Sequence, residues 1–391
     1  MKFRLAERVD RFGTNIIRDI FKHALDPEIT FFGGGAPAPE LYPYAALRAA
    51  TVAAYDEYGP NILGYDVTPG FLPLRETIAA ERMKATGVVA TATNVIVTSG
   101  SQQGIDLAAR VFLEKGDTVI CEAPSYLGAI NCFDSYGVRY AQVSMDDDGM
   151  IMGALEATLA SNPTAKFIYT VPDFQNPTGV TLSLERRRQM VDLARQFDVP
   201  ILEDSAYIEL RYEGERLPAI KSFDADGHVI YLGSFSKIVS PGLRLGWVCA
   251  DENILEKMVR FKEATDLHTS TFAQRLLTSF MKTNSLSDHI ATMLPVYRAR
   301  RDAMLEAMDK DFSDDVSFTR PDGGFFCWVT LPESVDAGGL FQRAIRESKV
   351  AIVPGRSFFA GDGPANHFRL SFSQVDEARI AAGIGRLSKL I

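Results

Sequence analysis

The sequence has few of the residues from which metal centres and disulfide frameworks are built. Only four cysteines and five histidines occur among its 391 residues. The cysteines are scattered, with no C-x-x-C spacing and no histidine cluster nearby: Cys121, Cys132, Cys249 and Cys327. Because zinc sites and disulfide frameworks need closely spaced or paired cysteines, we expect buried free thiols and no metal.

Positive charge and long apolar runs are also scarce. The chain has 41 Lys and Arg against 50 Asp and Glu, a formal net charge of -9, whereas nucleic acids and anionic membranes require a basic face. No run reaches a membrane-spanning length, and the charged N-terminus lacks the apolar core of a signal peptide. We therefore predict a soluble, cytoplasmic protein that binds neither nucleic acid nor membrane, although small anions can still bind locally.

What is present, from Asn94 onward, is a series of short β-branched runs that alternate with amphipathic stretches. This pattern is typical of a doubly wound α/β domain, and a chain of this length exceeds what one core usually holds. We predict an N-terminal arm and loop over 1–45, a large α/β domain with a mostly parallel seven-stranded sheet over 46–285, and a smaller α+β domain over 286–391. The seven strands are predicted at Val95–Thr98, Thr118–Glu122, Arg139–Val143, Phe167–Val171, Pro200–Glu203, Val229–Gly233 and Leu245–Ala250.

Helices and a second set of strands follow from the same periodicities. The helices are predicted at Asn15–Ala24, Tyr44–Tyr58, Pro73–Thr86, Gln102–Glu114, Leu184–Phe197, about Leu286–Asp309, Gly339–Glu347 and Asp376–Ser388. The strands of the smaller domain are predicted at Val316–Arg320, Phe325–Thr330, Ala351–Val353 and Phe368–Phe372.

The stretch 231–247 places one lysine, Lys237, among small and apolar residues. A lysine in an apolar pocket beside another cation has a lowered pKa and can attack a carbonyl. Arg244 is a candidate for that cation and, together with Ser234 and Ser236, it suits a phosphate group. This combination suggests pyridoxal phosphate. The alternative is a surface loop in which Lys237 is solvated.

In open α/β sheets, ligands bind at the carboxyl ends of the strands, so residues just past each strand are candidates for chemistry. After the first strand, Gly100, Ser101 and Gln102 open a helix whose free N-H groups and dipole suit an anion. A plain helix cap is the alternative. After the second strand, Tyr126 offers a face on which a flat ring can stack, although a lone tyrosine often serves packing alone.

Two later strand ends complete the set. The Asn176 amide suits a phenolic oxygen, although Asn-Pro-Thr-Gly is also a good turn sequence. Asp204 ends a buried strand and needs a cationic partner, which a protonated pyridine nitrogen or an ordinary arginine would provide. Tyr207 adds a hydroxyl directed at the ring oxygen. All these signals occur in the order that one cofactor demands.

Over nearly its whole length the chain resembles the fold-type I pyridoxal-phosphate-dependent aminotransferases of class I/II. The motifs that carry the resemblance are Ser99-Gly-Ser-Gln-Gln103, Asn176-Pro-Thr-Gly179, Asp204-Ser-Ala-Tyr207, Ser234-Phe-Ser-Lys237, Arg244-Leu-Gly-Trp247 and Phe368-Arg369-Leu-Ser-Phe372. Segments 34–43 and 63–76 resemble the 2-aminoadipate and kynurenine aminotransferase group. We see no basic winged-helix region ahead of the core, unlike in regulators with aminotransferase-like domains.

The resemblance implies a role for each matching residue. Lys237 would form the Schiff base, Asp204 would face the ring nitrogen, Asn176 and Tyr207 would face the ring oxygen, and Tyr126 would stack on the ring. The residues implied to hold the phosphate are Gly100, Ser101, Gln102, Ser234, Ser236 and Arg244. In relatives the tyrosine matching Tyr65 reaches the phosphate of the neighbouring subunit, which implies a homodimer with shared sites.

The resemblance also implies the substrate site and the reaction. Arg369 would grip the substrate α-carboxylate beside Asn176 and Gly35, while Arg18 would face the substrate side chain. Because the N-terminal helix is too short to be stable alone and a glycine hinge follows it, we predict that it closes over bound substrate. A permanently docked arm with Arg18 in solvent is the alternative. The implied activity is transfer of the amino group of an L-amino acid (2-aminoadipate, aromatic or aliphatic) to a 2-oxo acid such as 2-oxoglutarate, by a ping-pong mechanism. A lyase or cyclase on the same scaffold is the alternative, ahead of a non-enzymatic sensor that binds the cofactor.

Overall fold

The computed structural model describes residues 3–11, 22 and 26–391. Its strands in these ranges are β1 (Thr30–Phe31), β2 (Val95–Thr98), β3 (Thr118–Ala123), β4 (Arg139–Asp146), β5 (Gly149–Met150), β6 (Phe167–Thr170), β7 (Ile201–Asp204), β8 (Val229–Ser234), β9 (Gly246–Cys249), β10 (Ser317–Phe318), β11 (Phe326–Thr330), β12 (Val350–Ala351), β13 (Val353–Pro354) and β14 (His367–Ser371). The predicted helix over Asn15–Ala24 lies outside the described residues, apart from position 22.

The α-helices of the described ranges are α1 (Tyr44–Tyr58), α2 (Leu72–Thr77), α3 (Ser101–Phe112), α4 (Leu127–Asp134), α5 (Met152–Ser161), α6 (Leu184–Phe197), α7 (Glu252–Asp266), α8 (Thr271–Thr283), α9 (Leu286–Asp311), α10 (Ala337–Arg343) and α11 (Glu377–Leu387). Helices α2 and α10 continue as π-helical turns over Ile78–Met83 and Ala344–Ser348. Short 3-10 turns lie at Glu7–Arg11, Pro39–Leu41, Gly59–Leu63, Ala92–Asn94, Ile220–Phe223, Pro241–Leu243, Gly355–Phe358 and Ser388–Leu390.

The largest sheet has eight strands in the order β2-β9-β8-β7-β6-β3-β4-β5. The central strands from β8 to β4 run parallel, whereas β9 is antiparallel to both of its neighbours. Strands β6, β7 and β8 are buried at every position, as expected for a parallel sheet covered on both faces. The sheet is therefore mostly parallel, as predicted, but it has one strand more than predicted.

A second, antiparallel sheet has the order β10-β11-β14-β13. The predicted strand Ala351–Val353 is divided in the structure, because β13 pairs with β14 whereas β12 pairs in parallel with β1. Helix α9 spans two hydrophobic clusters, with Leu286 and Ile290 in the cluster of the large sheet and Met304 and Met308 in that of the small sheet. The domain limits themselves remain a prediction.

Among the described residues, Cys121, Cys249 and Cys327 are buried and Cys132 is half-buried, all as free thiols. Within the same ranges, no group of three or more His, Cys, Asp or Glu side chains is placed to hold a metal ion. Nor does the described part of the chain contain a helix with the length and apolar character needed to cross a membrane.

Candidate active site

The carboxyl ends of β6, β7 and β8 and the start of α3 surround a cavity of about 130 Å³, which we call the inner cavity. Its lining includes ten of the residues predicted from the sequence: Ser101, Gln102, Tyr126, Asn176, Asp204, Tyr207, Ser234, Ser236, Lys237 and Arg244. A second space of about 210 Å³, the outer cavity, is lined by Gly33, Gly35, Ala36, Tyr126, Asn176, Tyr207, Lys237, Val353, Phe358 and Arg369. Four residues line both cavities, so the two spaces meet at Tyr126, Asn176, Tyr207 and Lys237.

Lys237 lies where the two cavities meet. Its Nζ donates to the Gly35 carbonyl at 2.7 Å and lies 5.7 Å from the centre of the Tyr207 ring. The pKa of this amine is lowered to about 8, mainly by burial; Asp204 opposes the shift, and the cations Arg369 and Arg244 add to it. The structure therefore shows a half-buried amine, and Arg369 is the stronger of its two cationic neighbours.

This pKa sets an expected pH dependence for the reaction of the protein with pyridoxal phosphate, the ligand predicted from the sequence. Only the neutral amine attacks a carbonyl, and a lowered pKa makes that form available at lower pH. We expect the capture rate, followed by absorbance, to rise with pH and to reach half its maximum near pH 8. A midpoint near pH 10, that of a solvated lysine, would contradict the assignment.

Asp204 ends β7 with a buried side chain. Its Oδ2 accepts a hydrogen bond from the Tyr169 hydroxyl at 3.0 Å, whereas its buried Oδ1 has no partner among the described residues. Burial raises the pKa of Asp204 to about 6, although Tyr169 and Lys237 counteract this rise. A buried carboxylate oxygen without a partner is costly, so the arrangement suits a cationic or donating group inside the cavity.

Five of the residues predicted to hold a phosphate, which we call the anion cup, are Gly100, Ser101, Ser234, Ser236 and Arg244. Helix α3 begins at Ser101, so the N-H groups of its first turn and its positive dipole end face the inner cavity. Gly100 has φ +78°, a backbone conformation that strains residues with a Cβ, and a Cβ placed there would also come within 2.6 Å of Arg244 Nη2, so glycine is favoured. The Ser234 and Ser236 side chains are buried and also line the inner cavity.

Arg369, on β14, is almost completely buried in the outer cavity. Its guanidinium lies between two rings, 4.3 Å from the centre of Phe326 and 5.0 Å from that of Phe358. It donates to Asn176 Oδ1 at 2.7 Å and to the Gly33 carbonyl at 2.9 Å, and Nε is buried without a partner among the described residues. No carboxylate of the described chain is paired with this guanidinium, which leaves its charge for an anionic ligand.

The two tyrosines that are predicted to contact a flat ring have different surroundings. Tyr126 is half-buried, and its hydroxyl lies 3.5 Å from Gln102 Oε1. Tyr207 is buried with its ring edge-on to Phe325 and Phe326, which fixes its position. Both rings line both cavities, so each can contact a flat ligand between them.

Three predicted site residues do not line these cavities. Gly100 directly precedes Ser101, which lines the inner cavity. Tyr65 is 87% exposed, and its ring lies edge-on to His268 at 5.7 Å. Its predicted contact with a neighbouring subunit stays a prediction. Arg18 lies outside the described residues, so its predicted role stays a prediction.

A family model described as aminotransferase class I and II matches residues 41–387. The chain belongs to this family. Among its relatives, the aromatic-amino-acid aminotransferase 1 of Thermococcus litoralis is 39% identical over 379 residues, which cover 96% of this chain and 91% of the relative.

Solved structures of other aminotransferases are similar in fold to this aminotransferase over nearly its whole length. The kynurenine aminotransferase of Pyrococcus horikoshii, in complex with PMP, has a TM-score of 0.95 at 40% identity, covering 99% of this chain and 96% of that one. LysN, the alpha-aminoadipate aminotransferase of Thermus thermophilus, complexed with N-(5'-phosphopyridoxyl)-L-leucine, has a TM-score of 0.91 at 38% identity, covering 99% and 96%.

The aminotransferase is accordingly a transaminase with the fold-type I architecture, it acts on amino and oxo acids, and its cofactor is pyridoxal phosphate. These findings confirm the family, fold class, activity and cofactor predicted from the sequence. The residues present also fit the cofactor on structural grounds. The unpartnered Asp204 Oδ1 suits a protonated ring nitrogen, the anion cup suits a phosphate, and the Lys237 amine lies between them and Arg369.

Sequence reasoning missed two polar side chains that support the site. Tyr169 gave no signal, because its contact with Asp204 crosses from β6 to β7 and only the sheet order reveals it. Glu122 is a buried strand-end carboxylate like Asp204, so its position near the end of a buried strand is the signal that identifies it. It accepts from Thr170 Oγ1 at 2.6 Å and from Gln175 Nε2 at 2.9 Å, beside Asn176, and burial raises its pKa to about 7.

Proposed function

We propose that this transaminase transfers the amino group of L-amino acids with aromatic, aliphatic or 2-aminoadipate side chains to a 2-oxo acid, with 2-oxoglutarate as the preferred acceptor. Relatives named for aromatic amino acids, kynurenine and alpha-aminoadipate support this range, as does the leucine adduct bound to one of them. Both half-reactions would use the same site in turn.

The observation that carries the proposal is the composition of the outer cavity. Arg369 is the only guanidinium that lines it within the described residues, and the neighbouring walls are small or apolar, including Ala36, Val353 and Phe358. A planar guanidinium binds the carboxylate common to all amino acids, whereas apolar walls accept side chains by size and hydrophobicity. The site is therefore suited to one anchor and several side chains.

The residues around this anchor have complementary tasks. Bound pyridoxal phosphate supplies a carbonyl that condenses with amines and a ring that withdraws electrons. Asn176 lies between Arg369 and Tyr207 and keeps the guanidinium oriented toward the outer cavity. Because Lys237 lines both cavities, its neutral amine can take the proton from the Cα of a substrate held by Arg369.

A dicarboxylic substrate needs a second cation, and the part of the chain that the structure describes places no second guanidinium in the outer cavity. The predicted N-terminal helix, with Arg18 predicted to face the side chain, lies outside that part except at position 22. We therefore propose that Arg18 recognises the distal carboxylate of 2-oxoglutarate and of 2-aminoadipate.

A substrate panel tests the proposed range. Each amino acid, added alone to the loaded enzyme, should convert it to the aminated form, which is read by absorbance. Aromatic and long aliphatic donors and 2-aminoadipate are expected to react faster than glycine or alanine, because they fill the apolar walls. Elimination products, or turnover without any 2-oxo acid, would contradict the proposal.

Substitution Arg369→Lys tests the common anchor. A lysine keeps the charge but cannot form two parallel hydrogen bonds to a carboxylate. We expect KM to rise by about tenfold to a hundredfold for every donor alike, equivalent to about 1.4–2.8 kcal/mol. A rise confined to acidic donors would show that Arg369 binds the side chain instead.

We further propose that the protein is a homodimer with shared active sites. Seven large hydrophobic side chains within residues 44–72 are exposed in the single chain, which is unusual unless a partner covers them: Tyr44, Val52, Tyr55, Leu63, Tyr65, Val67 and Leu72. Sedimentation equilibrium should give twice the mass of one chain, and a stable, fully active monomer would contradict the proposal. The cytoplasmic location stays a prediction.

A further inference from the structure

A buried ammonium group lies behind the start of α3, outside the residues that line either cavity. Lys262 has a completely buried side chain, and its Nζ donates to both carboxylate oxygens of Asp266 at 2.9 and 3.0 Å. It also donates to Gln103 Oε1 at 3.0 Å and to Thr269 Oγ1 at 2.9 Å. A charge this deeply buried is tolerated because every donor direction is satisfied.

This cluster is connected to the anion cup through Ser99. Asp266 Oδ2 accepts from Gln103 Nε2 at 2.7 Å and from Ser99 Oγ at 3.3 Å, while Gln103 Oε1 accepts from the Ser99 N-H at 2.8 Å. The Ser99 carbonyl in turn accepts from Arg244 Nη2 at 3.2 Å. The cluster thus fixes the backbone directly before Gly100 and an anchoring point of Arg244.

The charges of the cluster matter as much as its geometry. Asp266 is 27% exposed and, unpaired, would place a negative charge next to the turn that faces the cofactor phosphate. Lys262 neutralises that charge. The Arg244 guanidinium and the positive end of the α3 dipole then dominate the electrostatic field at the turn.

We propose that Lys262 is a positioning residue for cofactor binding, which neutralises Asp266 and holds the 99–101 turn in its anion-binding form. This inference rests on the proposal that the anion cup binds the cofactor phosphate.

The test compares the affinity of the cofactor-free protein for pyridoxal phosphate with its affinity for pyridoxal, by absorbance titration. Both ligands can react with Lys237, so the ratio of the two dissociation constants isolates the phosphate contribution. We expect Lys262→Met to reduce the preference for the phosphorylated ligand by about tenfold or more. Asp266→Asn should not reduce it, and the double variant should return toward the parent value.

The variants distinguish the proposed role of Lys262 from the proposed phosphate site. Suppose that Arg244→Ala lowers the preference for the phosphorylated ligand. If Lys262→Met then weakens the binding of both ligands equally, or of neither, the proposed role of Lys262 is contradicted. If Arg244→Ala leaves the preference unchanged, the proposed phosphate site is wrong. Should Lys262→Met fail to fold, Asp266→Asn and the double variant decide: a loss of preference in either would overturn the inference.

Discussion

Replacing Lys237 with alanine is expected to reduce transamination by roughly ten-thousandfold or more while leaving the fold and the phosphate contacts in place. The Lys237 amine is the only one that lines both cavities in the described residues, so no other lysine there can take over its covalent and proton-transfer roles. The variant should still bind pyridoxal phosphate, but without the absorbance band of the protein-bound Schiff base. The steady-state rate and the absorbance spectrum of the purified variant provide the measurement.

Lys166→Ala is the matched control for this experiment. Its side chain is 40% exposed and pairs loosely with Asp117 at 3.7 Å, outside both cavities. Circular dichroism should show the same helix content for both variants, and only Lys237→Ala should lose activity. Near-parent turnover in Lys237→Ala would refute the assignment of the nucleophilic amine.

Regular elements with strong patterns could be predicted from the sequence almost to the residue. The helix Leu184–Phe197 has polar and apolar residues at helical spacing, and its predicted limits coincide with those of α6. The strand Val95–Thr98 is a fully buried β-branched run, and its limits coincide with those of β2. Ligands bind at the carboxyl ends of the strands in such sheets. The correctly predicted strand ends therefore also identified most residues of the candidate site.

Features that depend on pairing between distant segments could not be predicted. Strand β5 has two residues and is too short to show an alternating pattern. The division of Ala351–Val353 follows from the pairing of β12 with β1, more than 300 residues earlier in the chain, so no local signal reveals it. The contacts of Tyr169 with Asp204 and of Lys262 with Gln103 are hidden for the same reason, since each joins elements that are neighbours only in the folded chain.

The causes of the lowered pKa of Lys237 could not be predicted from the sequence either. The sequence suggested Arg244 as the cation that lowers the pKa of Lys237, whereas the structure shows burial as the main cause and Arg369 ahead of Arg244. Arg244 has an exposed side chain at the mouth of the inner cavity, where solvent weakens its field. Its proposed task is therefore to hold the phosphate rather than to tune the lysine.

Substitution Asp204→Asn is expected to slow the amino-donor half-reaction on the order of a hundredfold to a thousandfold, with a much smaller effect on cofactor occupancy. Asparagine has nearly the same shape but lacks the negative charge that Oδ1 would present to a protonated ring nitrogen, so the ring would withdraw electrons less strongly. Single-turnover absorbance measures the half-reaction, and dialysis against buffer measures the cofactor that remains bound.

Tyr169→Phe separates the charge of Asp204 from its orientation. This variant keeps the carboxylate and removes only the hydrogen bond to Oδ2, which also counteracts the effect of burial on its pKa. We expect a loss of about tenfold, because one hydrogen bond to a charged group is removed and the charge itself remains. The proposed role requires Asp204→Asn to be clearly slower than Tyr169→Phe; equal rates in the two variants, or a half-reaction within a few-fold of the parent in Asp204→Asn, would show that the carboxylate does not act on the cofactor ring.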